Sequence, residues 1–286
     1  MDTTTGPRKT EFGYNRFADL FYYLLAHMPL DCAADVYDAG FVAQMAGEVG
    51  VSPLVPQRLT EYYQANFDRL MIISFLPLGT DNIRHFREAL AACGQLTEKD
   101  MERFADPLLD ICERVSEPFY TWWEQHHNEI AERKGKVCSR FEALAGRFAP
   151  FLDSLPAKAK VLFSYTLRRN GRAFLRPDGI TVYLTFPEKD EEITGCFLQY
   201  LHECTHSVTD PLMNRNIRMA DGTHDISEYQ VLCFDEYLID ALAPDLAETY
   251  REWIGGEYLD SAHEILGAEG EQRMKDCLKG ILEGAA

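Results

Sequence analysis

The sequence predicts an α+β protein in which helices predominate, with one small antiparallel sheet. Two observations favour this class: apolar residues recur at the helical period through most of residues 14–155, and two β-rich runs follow. The pattern returns to helix after Pro187 and stays helical nearly to the C-terminus. We therefore expect a flexible N-terminus over residues 1–13, a helical region over residues 14–155, and a region over residues 156–286 that holds the sheet and the C-terminal helices.

The helical region divides into several amphipathic segments. Residues 14–28 carry apolar side chains three and four positions apart, which is typical of a helix with one buried face. Residues 32–49 and 57–75 have the same period and end at proline and glycine. Thr97 and Asp100 have the spacing of a capping box, so a further helix is expected to begin there.

Two short runs after residue 156 have the composition of strands. Residues 161–167 and 180–186 are rich in aromatic and β-branched side chains. Turn-forming residues occupy positions 169–172 and 177–179. This composition predicts the small antiparallel sheet.

Charge and composition argue against two classes of partner. The chain has 286 residues, with 46 acidic against 28 basic and a net charge of −18, and this balance repels nucleic acid and anionic membranes. Neither a secretory signal pattern nor a run of apolar residues long enough to span a bilayer is present. The cysteines are scattered without a CxxC pair. A cytoplasmic protein without a nucleic-acid or membrane partner is therefore expected.

The sequence His-Glu-Cys-Thr-His at positions 202–206 carries the strongest chemical signal. On a helix, His202 and His206 project from one face one turn apart, so one zinc ion can accept both imidazoles. Glu203 lies beside them and is positioned to take a proton from a water that the metal activates. A helix is favoured because an apolar stripe surrounds the motif: Ile193, Phe197, Leu198, Leu201 and Val208. Cys204 points away from the histidine face and is predicted to be a small core residue.

A β-strand over residues 180–186, followed by a helix with HExxH, resembles the zincin metallopeptidases, and the resemblance covers about residues 159–243. It implies that residues 156–286 form a zincin-like catalytic region. It also implies that His202 and His206 bind one zinc ion and that Glu203 is the general base. In zincins the strand is an edge strand that pairs with extended peptide substrate.

The third ligand decides the subclass. The metzincin pattern would need glycine at position 209 and histidine or aspartate at position 212, but this chain has Thr209 and Leu212. The resemblance is therefore to the gluzincins, which take a glutamate from the next long helix. Glu228 and Glu236 are the two candidates there.

We favour Glu236 over Glu228. Glu228 has the more usual gluzincin spacing, 22 residues after His206. Glu236, however, is flanked by apolar residues at helical spacing, and Asp240 follows one turn later, as in the thermolysin-like ExxxD arrangement, where the aspartate holds a zinc-bound histidine. The segment from His202 to Leu212 also resembles an uncharacterised bacterial family assigned as zinc peptidases with a long HExxH-to-Glu spacing.

The predicted function is a zinc-dependent metallopeptidase that hydrolyses a peptide or protein substrate. His224 and Tyr229 are the candidates for stabilising the oxyanion or protonating the leaving amine. The alternative is a zincin-like module that binds a peptide or a partner without turnover. The intact Glu203 argues against this alternative, because a site without turnover has no need of the base.

Overall fold

The computed structural model describes residues 10–30, 37, 39–155, 158–168, 171–176, 179–212 and 223–284. For residues 158, 174–176 and 223–226 it describes the backbone only. Helices account for most of this part of the chain, and four strands form one sheet. The predicted class, α+β with helices predominant, is confirmed.

The helices and strands follow the chain in this order. The strands are β1 (Glu11–Tyr14), β2 (Lys158–Ser164), β3 (Arg172–Arg176) and β4 (Gly179–Thr185). The α-helices are α1 (Arg16–Ala26), α2 (Ala39–Val49), α3 (Gln57–Ala65), α4 (Phe67–Leu70), α5 (Ile83–Ala92), α6 (Glu98–Asp100), α7 (Asp106–Glu129), α8 (Ala131–Arg147), α9 (Ala149–Leu152), α10 (Glu192–Thr209), α11 (Thr223–Leu242), α12 (Ala247–Ile254) and α13 (Gly256–Leu282). Short 3-10 turns cover Met71–Ser74, Leu76–Gly79, Asp210–Leu212 and Pro244–Leu246, and a π-turn covers Met101–Ala105. None of the helices in the described ranges has the length and apolarity needed to cross a bilayer.

Local sequence signals account for where two of the helices begin. The side chain of Asn15 accepts hydrogen bonds from the backbone N–H groups of Phe17 and Ala18, both at 3.1 Å, and so caps α1. The capping box of Thr97 and Asp100 is present at the start of α6, as predicted. Side chains that accept from otherwise unpaired N–H groups thus define both helix starts.

The sheet is mixed, so the prediction of an antiparallel sheet is wrong. The strand order is β1-β2-β4-β3; β1 and β2 are parallel, β2 and β4 are parallel, and only β3 and β4 are antiparallel. Long helical connections separate β1 from β2, which allows the parallel arrangement. Because β1 belongs to the sheet, the predicted flexible N-terminus does not extend through residues 11–13, while residues 1–9 lie outside the described part.

Strand β4 is internal, so it cannot be the substrate-pairing edge that the zincin resemblance implied. Its residues pair with β2 on one side, as in Val161 opposite Val182, and with β3 on the other, as in Ala173 opposite Val182. Both rows of its backbone hydrogen-bonding groups face other strands of the sheet. Within the described residues, β3 occupies that outer position of the sheet.

Helix α10 is held centrally, between the sheet and the other helices. It packs against β4, α8 and α11, and α11 in turn packs against α13. The predicted apolar stripe is confirmed for Ile193, Phe197, Leu198 and Leu201, which are at most 1% exposed, while Val208 is half-buried. Cys204 is also fully buried, as predicted. The HExxH motif therefore lies on a buried helix whose position is determined by packing on three sides.

Asp19 of α1 links the first helix to the sheet. It is fully buried, and its carboxylate accepts hydrogen bonds from four donors: Nε1 of Trp123 at 2.7 Å and the hydroxyls of Ser164, Thr166 and Tyr183. Burial raises the pKa of Asp19 to about 6, although the hydrogen bonds from Ser164, Trp123 and Thr166 act in the opposite direction.

We expect the free energy of unfolding to fall by about 2 kcal/mol between pH 4.5 and 7.5 through Asp19 alone. The folded-state pKa lies above the ordinary value, so the folded protein retains a proton that the unfolded chain has already released. This stabilisation is complete below about pH 4 and is lost as the pH rises through about 6. Urea unfolding of wild type and Asp19→Asn, both in chelator, measures this contribution. The difference between their free energies of unfolding should shrink as the pH rises. A difference that does not vary with pH would contradict the assignment.

Candidate metal centre

Helix α10 presents His202 and His206 on one face, as the i, i+4 spacing predicts. Their rings are perpendicular, with centroids 5.1 Å apart. His202 is 5% exposed and His206 is half-buried. The two imidazole rings thus lie close together where α10 packs against α11.

Glu228 of α11 completes a group of three ligands with these histidines. Its Oε1 lies 3.3 Å from Nε2 of His202, and its Oε2 lies 3.7 Å from Nε2 of His206. Zinc bonds to nitrogen and oxygen of roughly 2.1 Å place tetrahedral ligand atoms about 3.4 Å apart. The observed separations are close to this value. Within the described residues, this is the one group of three or more histidine, cysteine and acidic side chains with metal-site spacing.

A carboxylate lies behind each histidine. Nδ1 of His202 is 3.1 Å from Oδ2 of Asp235, and Nδ1 of His206 is 3.3 Å from Oδ1 of Asp210. A hydrogen bond donated by Nδ1 to a carboxylate leaves Nε2 unprotonated and free to bind a metal. The residues present therefore fit a zinc ion in both spacing and tautomer.

These two aspartates are themselves held by hydroxyl groups. Oγ1 of Thr205 donates to Oδ1 of Asp235 at 2.6 Å, and Ser227 donates to Asp210. Asp235 and Thr205 are both fully buried. The orientation of His202 is therefore determined by an interior network that connects α10 to α11.

The electrostatics of the site favour a cation. Burial acts to lower the pKa of His202, but Asp235 and Glu228 outweigh it and hold that pKa well above its usual value. Against the same effect of burial, Asp210 and Glu228 raise the pKa of His206 to about 9. Burial acts to raise the pKa of Glu228, yet the two histidines bring it below its usual range. Without a metal, both histidines therefore hold protons opposite these carboxylates, and a divalent cation can displace the protons on Nε2.

Glu203 lies next to the ligand group and is held by Gln199. Nε2 of Gln199 donates to Oε1 of Glu203 at 2.9 Å, one turn back along α10. The indole of Trp253 on α12 lies with its centroid 6.4 Å from that of the His202 ring. The predicted general base is thus on the same helix as the two histidines, and one of its carboxylate oxygens is left for other partners.

The structure brings Glu228, and not the favoured Glu236, to the two histidines. Oε2 of Glu236 lies 2.7 Å from Nε2 of His263, and its Oε1 lies 3.8 Å from Nη1 of Arg251. The carboxylate of Glu236 therefore faces α12 and α13. The sequence argument assumed that apolar neighbours identify the face of α11 that meets the site. That assumption fails because α11 is buried almost all round: Val231, Leu232, Cys233, Phe234, Leu238 and Ile239 are all 0% exposed.

Asp235, and not the expected Asp240, is the aspartate that contacts His202. It lies seven residues after Glu228, which is almost exactly two helical turns, so the two carboxylates share one face of α11. The seven-residue spacing is therefore the sequence signal that points to Glu228. It differs from the four-residue ExxxD spacing on which the preference for Glu236 rested.

No described contact joins His224 or Tyr229, the two predicted oxyanion candidates, to the three grouped side chains. His224 lies in the first turn of α11, but its side chain is outside the described part of the structure. Tyr229 is half-buried and packs against Tyr258, with ring centroids 5.6 Å apart. A role for either residue in catalysis stays a prediction.

Sequence reasoning missed several residues of the site. Asp235 and Gln199 each carry a detectable signal, because they lie seven residues after Glu228 and four before Glu203 on their helices. Asp210 has a signal of the same kind, four residues after His206. Ser227 and Trp253 have none, since they reach the site through packing between helices.

No family model, curated protein or solved structure matches this chain. What it does is therefore inferred from its own residues and their geometry.

Proposed function

We propose that this chain is a zinc-dependent peptidase with His202, His206 and Glu228 as metal ligands and Glu203 as general base. The observation that carries the proposal is the spacing of the three ligand groups, 3.3 and 3.7 Å, beside an acidic residue that is not among them. Structural zinc sites usually have four protein ligands, whereas three leave a position for water and substrate.

When bound, zinc supplies Lewis-acid chemistry, because it acidifies a water and polarises the carbonyl of the scissile peptide bond. Glu203 accepts the proton of the attacking water at Oε2 and passes it to the amine nitrogen as the peptide bond breaks. Gln199 donates to Oε1 and so keeps that oxygen oriented away from the reaction. Asp235 and Asp210 keep the histidine rings in the tautomer that binds the metal.

We place extended substrate along the outer strand β3, whose start lies near Gln199. Gly171, just before β3, is so close to Gln199 that an added Cβ would lie 2.9 Å from its Cγ. The start of β3 is therefore next to the residue that holds the general base. A peptide that added a strand to β3 would gain affinity from main-chain hydrogen bonds, and its end next to Gly171 would lie near Gln199, the residue that contacts Glu203.

Metal removal tests the proposal. We expect purified protein to hold about one zinc per chain, to hydrolyse peptides from a mixed library, and to lose this activity in chelator until zinc is restored. Zinc should also raise the melting temperature by on the order of 5 °C at 100 times its dissociation constant. Elemental analysis, mass spectrometry of the peptides and thermal melts provide the three readouts.

The control is a histidine outside the site. His202→Ala should lose zinc, whereas His85→Ala should retain it, because His85 is a partly exposed residue of α5 outside the ligand group. A protein that takes up no zinc even when supplemented would refute the proposal. Stoichiometric zinc without hydrolysis of any peptide would instead support the module that binds without turnover.

A further inference from the structure

A cavity of about 500 Å³ lies between α10, α12 and the end of β4. Its lining includes Gln199 and Trp253, the two residues that contact Glu203 and His202 respectively. The cavity therefore opens beside the proposed catalytic residues. A substrate side chain near the scissile bond can enter it without displacing a metal ligand.

The inner walls of this cavity are apolar. Leu184 at the end of β4 is 1% exposed, Pro187 is buried, and the indole of Trp253 forms one side. Gly195 faces the indole, and a Cβ there would already be in contact with it at 3.6 Å. The glycine thus leaves the space that a methylene chain would occupy against the tryptophan.

The outer rim is acidic. Glu191 and Glu252 are exposed carboxylates on opposite sides of the opening, one at the start of α10 and one on α12. Glu192 lines the cavity too, but its Oε2 already accepts from two backbone N–H groups, at 2.8 and 3.1 Å. No lysine, arginine or histidine is among the described residues that line the cavity. Arg251 is next to Glu252 in the chain, yet its guanidinium pairs with Asp260.

We propose that this glutamate-rimmed pocket binds the lysine or arginine side chain of a substrate residue next to the scissile bond. The inference rests on the proposed peptidase function and names its substrate class. The methylene stem lies against Leu184 and Trp253, where the ring face also attracts a cation. The charged head reaches Glu191 and Glu252 at the rim, where water remains.

The test uses quenched-fluorescent peptides that are identical except for one lysine, glutamine or glutamate on either side of the cleaved bond. Wild type should cleave the lysine peptides with the highest kcat/KM. Each exposed carboxylate contributes up to about five-fold, so Glu191→Gln with Glu252→Gln should reduce the lysine-over-glutamine preference by on the order of ten-fold. Glu248→Gln is the matched control, since Glu248 is exposed on the same helix and does not line the cavity.

Cleavage without a lysine preference, or a preference that the double variant keeps, would overturn the inference and leave the peptidase function standing. If zinc-loaded protein cleaves none of the peptides, their binding to the Glu203→Gln protein is measured by calorimetry. Binding that favours the lysine peptides, and that the double variant weakens, would support the proposed pocket but contradict the peptidase function. Binding without this selectivity would overturn both.

Discussion

Replacing Glu203 with glutamine is expected to lower kcat for peptide hydrolysis by about 10²- to 10⁴-fold while the zinc content stays at the wild-type level. Glutamine keeps the size of the side chain but cannot accept a proton from water at neutral pH. Glu203 is not one of the three residues whose ligand atoms converge. The change should therefore remove the base without removing the metal, and KM should change little.

Zinc content and steady-state kinetics on the same preparations measure this effect. Glu264→Gln is a suitable control, because Glu264 is exposed on α13 and contributes nothing to the ligand group. Loss of activity together with zinc would mean that Glu203 holds the metal. Full activity of Glu203→Gln would show that another residue is the base.

Local patterns predicted the parts of the molecule that depend on local interactions. The HExxH helix, its buried face and the inward position of Cys204 all follow from the helical period over residues 192–209. The capping box at Thr97 is local in the same sense. These features need only the preferences of a few neighbouring residues, so a single sequence suffices for them.

Features that depend on distant pairing were not predicted. Strand β1 has four residues, too few for a periodic signal, and its partner β2 lies more than 140 residues later in the chain. The order of the strands decides that β4 is internal, and this order is not encoded in β4 itself. The position of Glu236 away from the two histidines was not predicted for a related reason, since a helix buried almost all round gives no apolar stripe to orient it.

Glu228→Gln is expected to lower the affinity for zinc by more than about 100-fold, whereas Glu236→Gln should leave it unchanged. Replacing the residues that merely support zinc ligands typically costs 10- to 100-fold, so loss of a ligand should cost more. Glu228 also supplies the negative charge that both histidine Nε2 atoms face, at 3.3 and 3.7 Å. Glutamine presents an oxygen or an amide there, but no charge.

The two variants form a matched pair, because they make the same isosteric change on one helix, eight residues apart. Competition with a chromophoric chelator measures the affinity of each protein for zinc. Glu236→Gln should lower the melting temperature instead, since it weakens the contacts with His263 and Arg251 that join α11 to its neighbours. Loss of zinc in Glu236→Gln with retention in Glu228→Gln would require α11 to turn about its axis. The burial of Asp235 against His202 and Thr205 opposes such a rotation, because it would leave a buried carboxylate without partners.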